Sequence, residues 1–154
     1  MEEETLQLDT TALKEFAEAC TCSHIRKAAR VITQFYDTFL QPSGLRMTQY
    51  TVLVVIALSE QETVMHLAEM LAMDRSALAR ALKPLETQGL IIVEPGRDRR
   101  TRLVRLTEQG RQALIETHPY WLQAQEQVIA HFGEQQTHVL LSDLKQVESL
   151  GHLT

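Results

Sequence analysis

Cysteine is scarce: the chain holds two, Cys20 and Cys22, one residue apart. So few, so close together, cannot staple distant segments, and no disulfide framework is expected. Long apolar runs are missing too. The longest, Val52 to Leu58, falls far short of the ~20 residues that cross a bilayer, and the opening Met1-Glu2-Glu3-Glu4 is acidic where a signal peptide is basic. A cytoplasmic protein without a membrane partner is the expectation. Also absent are a glycine-rich phosphate loop, a His-Glu-x-x-His pair and a nucleophile in a recognisable elbow. His66, His118, His131, His138 and His152 are scattered without ligand spacing. These absences argue against an enzyme and give no reason to expect a cofactor. There is no internal repeat and no low-complexity segment.

What is present is a globular composition with an uneven charge. With 154 residues, 44% hydrophobic and 23% charged, the chain can bury a core of its own. Its formal charge of −5 hides a split. Between Asp74 and Arg111 nine basic residues face five acidic ones, an excess of four that leaves −9 on the rest. One positive surface for a polyanion on an acidic scaffold follows.

Apolar residues recur at helical spacing from about Thr10 to Leu40, which predicts one long amphipathic helix, ended by Gln41-Pro42-Ser43-Gly44. A second helix, about Thr48 to Ser59, is apolar on most of its circumference, although its β-branched content leaves a strand open. A short helix, about Val64 to Leu71, is followed by Asp74, which suits a helix cap, then by a third helix, Arg75 to Gln88, stopped by Gly89. Two short helices joined by a tight turn form a helix-turn-helix. The β-capable runs Leu90 to Val93 and Arg102 to Leu106 flank turn formers and predict a hairpin with arginines at its tip. Thr107 caps a helix from Glu108, and helical periodicity reaches His152 with a kink expected near Pro119 and a break near Gly133. The terminal helices carry apolar faces that pairing between two copies would cover. The fold class is therefore mainly α: a winged helix-turn-helix with a small β-hairpin wing and long terminal dimerisation helices. The division expected is 1–44 for N-terminal dimerisation, 45–110 for DNA binding and 111–154 for C-terminal dimerisation.

Cys20-x-Cys22-x-His24 has residue types that bind zinc. On one helix, however, Cys20 and His24 share a face while Cys22 points ~200° away, so the three do not converge and no metal site is expected. The same geometry opposes a Cys20–Cys22 bridge within one chain and leaves a bridge between subunits open.

Five stretches, in this order, resemble the MarR family of bacterial transcription regulators. They are Gly44-Leu45-x-x-x-Gln49-Tyr50-x-x-Leu53, Leu67-Ala68-Glu69-x-Leu71-x-Met73-Asp74-Arg75-Ser76, Leu82-x-x-Leu85-Glu86-x-x-Gly89-Leu90, Asp98-Arg99-Arg100 and Leu106-Thr107-x-x-Gly110. Two positions depart from the family pattern: Arg46-Met47 replaces a Thr-Pro, and Ala72 replaces a turn glycine. The resemblance implies a homodimer on a near-palindromic double-stranded DNA operator, most often as a repressor, with the third helix in the major groove and the wing at the flanking minor groove or backbone. Arg75, Ser76, Arg80 and Lys83 are then the groove residues, with Arg80 as the base reader because its fork fits guanine O6 and N7. At the wing, Asp98 resembles the carboxylate that orients Arg100 toward the minor groove, while Arg99 meets phosphate and Arg97 adds charge. The opposing readings are solvated charges and, for the whole chain, a helical interaction module without specific DNA binding; the latter leaves three tip arginines unexplained.

Family members commonly release DNA when a small aromatic acid or phenol binds. Arg26 and Arg30, one turn apart, could hold such a carboxylate, with Tyr50 and Trp121 as aromatic walls; equally, the arginines pair with acids and the rings belong to the core. The second candidate effector is an oxidant. Cys22, Tyr36, Gly44, Gln49 and Tyr50 coincide with the organic-hydroperoxide-sensing branch of the family, and His24, Arg26 and Lys27 bring positive charge near the thiol. Met47 stands where that branch has a second tyrosine, and Cys20 and Cys22 as structural thiols are the alternative.

Overall fold

The computed structural model describes residues 9–59, 61–98 and 101–152, with only the backbone at His152. It divides into two compact units, one up to Gln34 and one from Phe35 onward.

The first unit corrects the expectation of one continuous helix from Thr10 to Leu40. Helix α1 covers Thr10–Ala19 and helix α2 covers Thr21–Leu40, and between them Cys20 is extended at ψ 100°. Asp9 caps α1 by accepting from the amides of Thr11 and Ala12 at 2.9 and 3.4 Å. Cys20 then joins the two helices. Its amide donates to Phe16 O at 3.0 Å, closing α1, and its carbonyl accepts from His24 N at 3.1 Å, opening α2. Thr21 and Ser23 favour such a break, because β-branched and hydroxyl side chains suit helix starts better than helix interiors. Apolar periodicity runs through the break, which is why spacing alone reads one helix. With the helix interrupted at Cys20, the face argument that separated Cys20 from Cys22 no longer holds.

In the second unit the end of α2 leads through a 3₁₀ turn, Gln41–Ser43, into α3, Met47–Leu58. Asp37 Oδ1 accepts from Met47 N at 2.6 Å and Gln49 Oε1 from Arg46 N at 3.0 Å, so amides at the start of α3 are satisfied. Tyr50, Val52, Leu53 and Ile56 of α3 are buried, which settles this segment as a central helix rather than a strand. Then come α4, Val64–Met70, and α5, Arg75–Thr87. A single core joins them, with Leu67 and Ala68 from α4, Leu78, Leu82 and Leu85 from α5, and Ile91, Val104 and Leu106 from the sheet.

The sheet has three strands where the sequence predicts a two-stranded hairpin. Strands β2, Ile91–Pro95, and β3, Arg102–Leu106, pair antiparallel with Ile91 opposite Leu106 and Pro95 opposite Arg102. The added strand is β1, Glu62–Thr63, on the other side of β3 with Thr63 opposite Leu103. Two residues carry no readable alternation. Helix α6, Glu108–Phe132, runs through Pro119, and Gly133 at φ 82° separates it from α7, Glu134–Ser149. Among the described residues no helix is long and apolar enough to cross a membrane.

The turn between α4 and α5 is tight because Ala72 adopts φ 49°, letting Met73 N reach Ala68 O at 2.9 Å. This left-handed conformation costs an L-residue ~1–2 kcal/mol, against ~0.4–1 kcal/mol that alanine recovers by restricting the unfolded chain. Ala72→Gly is therefore expected to stabilise the fold by up to ~1.6 kcal/mol, read as a higher urea midpoint at unchanged slope.

Candidate nucleic-acid interface

Helix α5 starts where Asp74 places its carboxylate 2.7 Å from Ala77 N and ends before Gly89, whose φ of 72° continues no helix. Leu78, Leu82 and Leu85 hold one side against the core. The opposite side is open. Arg75, Ala79, Lys83 and Thr87 form one i, i+4 row, Ser76, Arg80, Pro84 and Gln88 the next, and all eight are exposed. All four groove residues expected from the sequence therefore lie on one surface. They differ in freedom. Lys83 Nζ sits 3.7 Å from Glu86 Oε2, whereas no acidic partner engages Arg75 or Arg80 among the described residues. Because Pro84 has no N–H, the carbonyl of Arg80 also lacks its usual intrahelical donor.

The wing is closed at its tip by Gly96 N on Thr101 O at 2.8 Å and Thr101 N on Asp98 O at 2.9 Å. Arg97 and Asp98 are exposed there. Arg99 and Arg100, the other two residues expected at the tip, lie outside the described residues. Arg105 is turned to a different use. Its guanidinium meets Glu94 Oε1 at 3.2 Å across the hairpin, so the pair is internally neutralised. Arg102, by contrast, is exposed as the first residue of β3, at the tip end of the strand pair, without an ionic partner among the described residues. Sequence reasoning counted Arg102 in the charge excess but not among the contact residues. Its phase argued against exposure, since Val104 and Leu106 on its own side of β3 are buried; the signal in its favour was its position at the end of the strand.

A second region joins α3 to α6. Tyr50 Oη lies 3.0 Å from His118 Nδ1, and His118 stacks on Trp121 with ring centroids 5.4 Å apart and planes at 19°. Burial pushes the Tyr50 hydroxyl up from its usual pKa, which keeps it protonated and able to donate. The two aromatic walls named from the sequence are thus brought together by His118, a residue the sequence left among scattered histidines. Beside them an apolar crevice of about 390 Å³ is lined by Tyr50, Val54, Leu58, Leu114, Ile115 and His118. Arg26 and Arg30 are exposed on α2, in the first unit. Cys20 is half-buried and Cys22 exposed, both as free thiols. Tyr36 donates to Gln125 Oε1 at 2.5 Å, and burial raises its pKa also. His24 Nε2 is occupied at 3.1 Å by Glu18 O, and no metal-holding cluster occurs among the described residues.

Comparison with known proteins matches this arrangement. The profile described as the MarR family covers residues 43–101, from the 3₁₀ turn to the wing tip. The M. tuberculosis transcriptional regulator MosR, solved in complex with DNA, is 34% identical with a TM-score of 0.79, over 87% of this chain and 97% of that one. The chain belongs to the MarR family. Members are transcription regulators, and the mainly helical fold with its small antiparallel sheet is the MarR winged helix. Two curated relatives agree. The helix-turn-helix transcriptional regulator YwoH of Bacillus subtilis is 27% identical over 72% of this chain and 81% of its own length. The organic hydroperoxide resistance transcriptional regulator of the same species is 32% identical over 58% of this chain and 61% of that regulator.

Proposed function

We propose that this MarR regulator is a homodimeric repressor that grips a near-palindromic operator with two copies of α5 and of the β2–β3 wing. The observation that carries the reading is the exposed double row on α5, with Arg75 and Arg80 free of acidic partners among the described residues, beside a wing that exposes Arg97 and Arg102. Arginine, lysine and serine on this side suit a polyanion better than they suit an apolar partner. The MosR relative is known as a DNA complex, which supports the same partner here. Residues 45–110 then form the reading head, and the flanking segments, 1–44 and 111–154, the stem shared between copies. Large apolar side chains on the stem support pairing: Phe132 of α6 and Leu140, Leu144 and Val147 of α7 are all exposed in the single chain. The two α5 helices would sit ~34 Å apart to meet successive major grooves.

Release has two supported routes. An aromatic acid would enter the apolar crevice beside Tyr50, His118 and Trp121, where the Tyr50 hydroxyl and the His118 ring offer it polar contacts. Oxidation of Cys22, with Cys20 beside it at the helix break, is the other route, supported by the exposed thiol and by likeness to the hydroperoxide resistance regulator. One experiment tests both: release of the full chain from its operator by organic hydroperoxide, hypochlorite and a panel of aromatic acids, in wild type and Cys22→Ser. Oxidant release in the wild type alone is the outcome expected of a thiol sensor; release by an aromatic acid in both proteins assigns the crevice. A protein that ignores every agent, or that light scattering shows as a monomer, would overturn the proposal.

A further inference from the structure

The first two and a half turns of α5 expose five side chains, Arg75, Ser76, Ala79, Arg80 and Lys83. Four of them donate hydrogen bonds. Ala79 alone offers only a methyl group, between Arg75 one turn before and Lys83 one turn after on the same row, and adjacent in sequence to Arg80. A longer side chain at that place would hold the helix away from a groove floor and keep its neighbours from reaching base edges. The major groove has one apolar feature of its own, the 5-methyl group of thymine. We propose that Ala79 is a specificity residue that packs on a thymine methyl in the base step next to the one Arg80 reads. The inference rests on the placement of α5 in the groove, and extends it to the bases of the half-site.

The methyl-to-methyl contact removes little more than one methyl group from water on each side, which is worth about fourfold in affinity per half-site. The operator is first obtained by selecting random duplexes with the full chain, and each thymine is then replaced in turn by deoxyuridine, symmetrically in both half-sites. One position is expected to weaken wild-type binding by about fourfold per half-site, with the other thymines near silent. In Ala79→Gly the same replacement should cost nothing, because the methyl that met it is gone. As glycine loosens a helix, Ala79→Ser provides a second variant with its helix intact, and circular dichroism confirms that both are folded at the assay temperature. Ala79→Ser should also lose the discrimination, since a hydroxyl meets the thymine methyl poorly. Wild-type indifference to deoxyuridine at every position would overturn the inference, as would a penalty unchanged in both Ala79 variants. The underlying placement of α5 fails separately, if Arg80→Ala binds the selected operator as the wild type does.

Discussion

Gly110→Ala is expected to cost the fold ~3 kcal/mol, the upper end for an overpacked core, and to lower the thermal midpoint by ~6–12 °C in a chain of this size. Gly110 lies in the first turn of α6, where the helix crosses the start of β2 at the closest approach available to a backbone. A Cβ there would stand 2.0 Å from Leu90 O, 3.0 Å from Leu90 C and 3.2 Å from Leu106 Cδ2. Neither neighbour has room to yield. Leu90 O already accepts from Thr107 N at 3.1 Å, and Leu90 and Leu106 both belong to the core. Thr107 tightens the crossing from its own side, donating its hydroxyl to Gly89 O at 2.6 Å while accepting from Gly110 N at 3.0 Å. Moving α6 to admit a methyl group would therefore break the cap, the end of α5 and the first pair of the wing together. Gly151→Ala, with nothing within 4 Å of the added carbon, is the matched control and should melt with the wild type. A Gly110→Ala midpoint within about 2 °C of the control would mean the crossing is looser than these distances allow.

This crossing also shows what could be foreseen. The stretch Leu106-Thr107-x-x-Gly110 carried the family resemblance in the sequence, and the reason those residue types stand at that spacing is the cap, the strand end and the close approach just described. Helix-forming periodicity, Asp74 and Thr107 as caps, and Gly89 and Gly133 as stops were all visible because each acts within a few residues of itself. The interruption at Cys20 was not. Apolar spacing continues across it, and what breaks the helix is the extended backbone of one residue, Cys20. Strand β1 was also hidden, since Glu62 and Thr63 are recruited by β3 from forty residues away rather than by any pattern of their own.

The site divides in the same manner. Exposure of Arg75, Ser76, Arg80 and Lys83 follows from helical phase against Leu78, Leu82 and Leu85, so those four could be named in advance. Which of them is free could not. Glu86 holds Lys83 and Glu94 holds Arg105, while Arg102 has no ionic partner among the described residues, and such pairings depend on side chains meeting across turns and strands. His118 was obscured for a similar reason. Its meaning comes from Tyr50, 68 residues earlier in the chain, and from stacking on Trp121.

Arg80→Ala should be the most damaging single change to operator binding, and the dimer makes it more so. A guanidinium that pairs with both acceptors of a guanine is worth ~1–3 kcal/mol of discrimination, and each operator holds two copies, so the loss is ~2–6 kcal/mol, at least about 30-fold in affinity. Arg80 has the means for such a contact: exposure near the helix start, no competing carboxylate among the described residues, and a neighbour, Ala79, short enough to let it approach. Lys83→Ala should do much less, because an exposed lysine that already shares Glu86 forfeits only part of a weak interaction. Arg102→Ala gives a different signature, since an arginine at the tip end of a strand meets phosphate rather than bases. It should weaken operator and random duplex alike, and lower the slope of log affinity against log salt by about 1 for each phosphate contact removed. Fluorescence titrations on both duplexes at several salt concentrations separate the two signatures. Arg80→Ala should cut the preference for operator over random DNA by at least about 30-fold and leave the salt-sensitive attraction of the wing unchanged. Operator affinity within twofold of wild type in that variant would remove α5 from the groove, and with it the reading of this helix as the part that selects sequence.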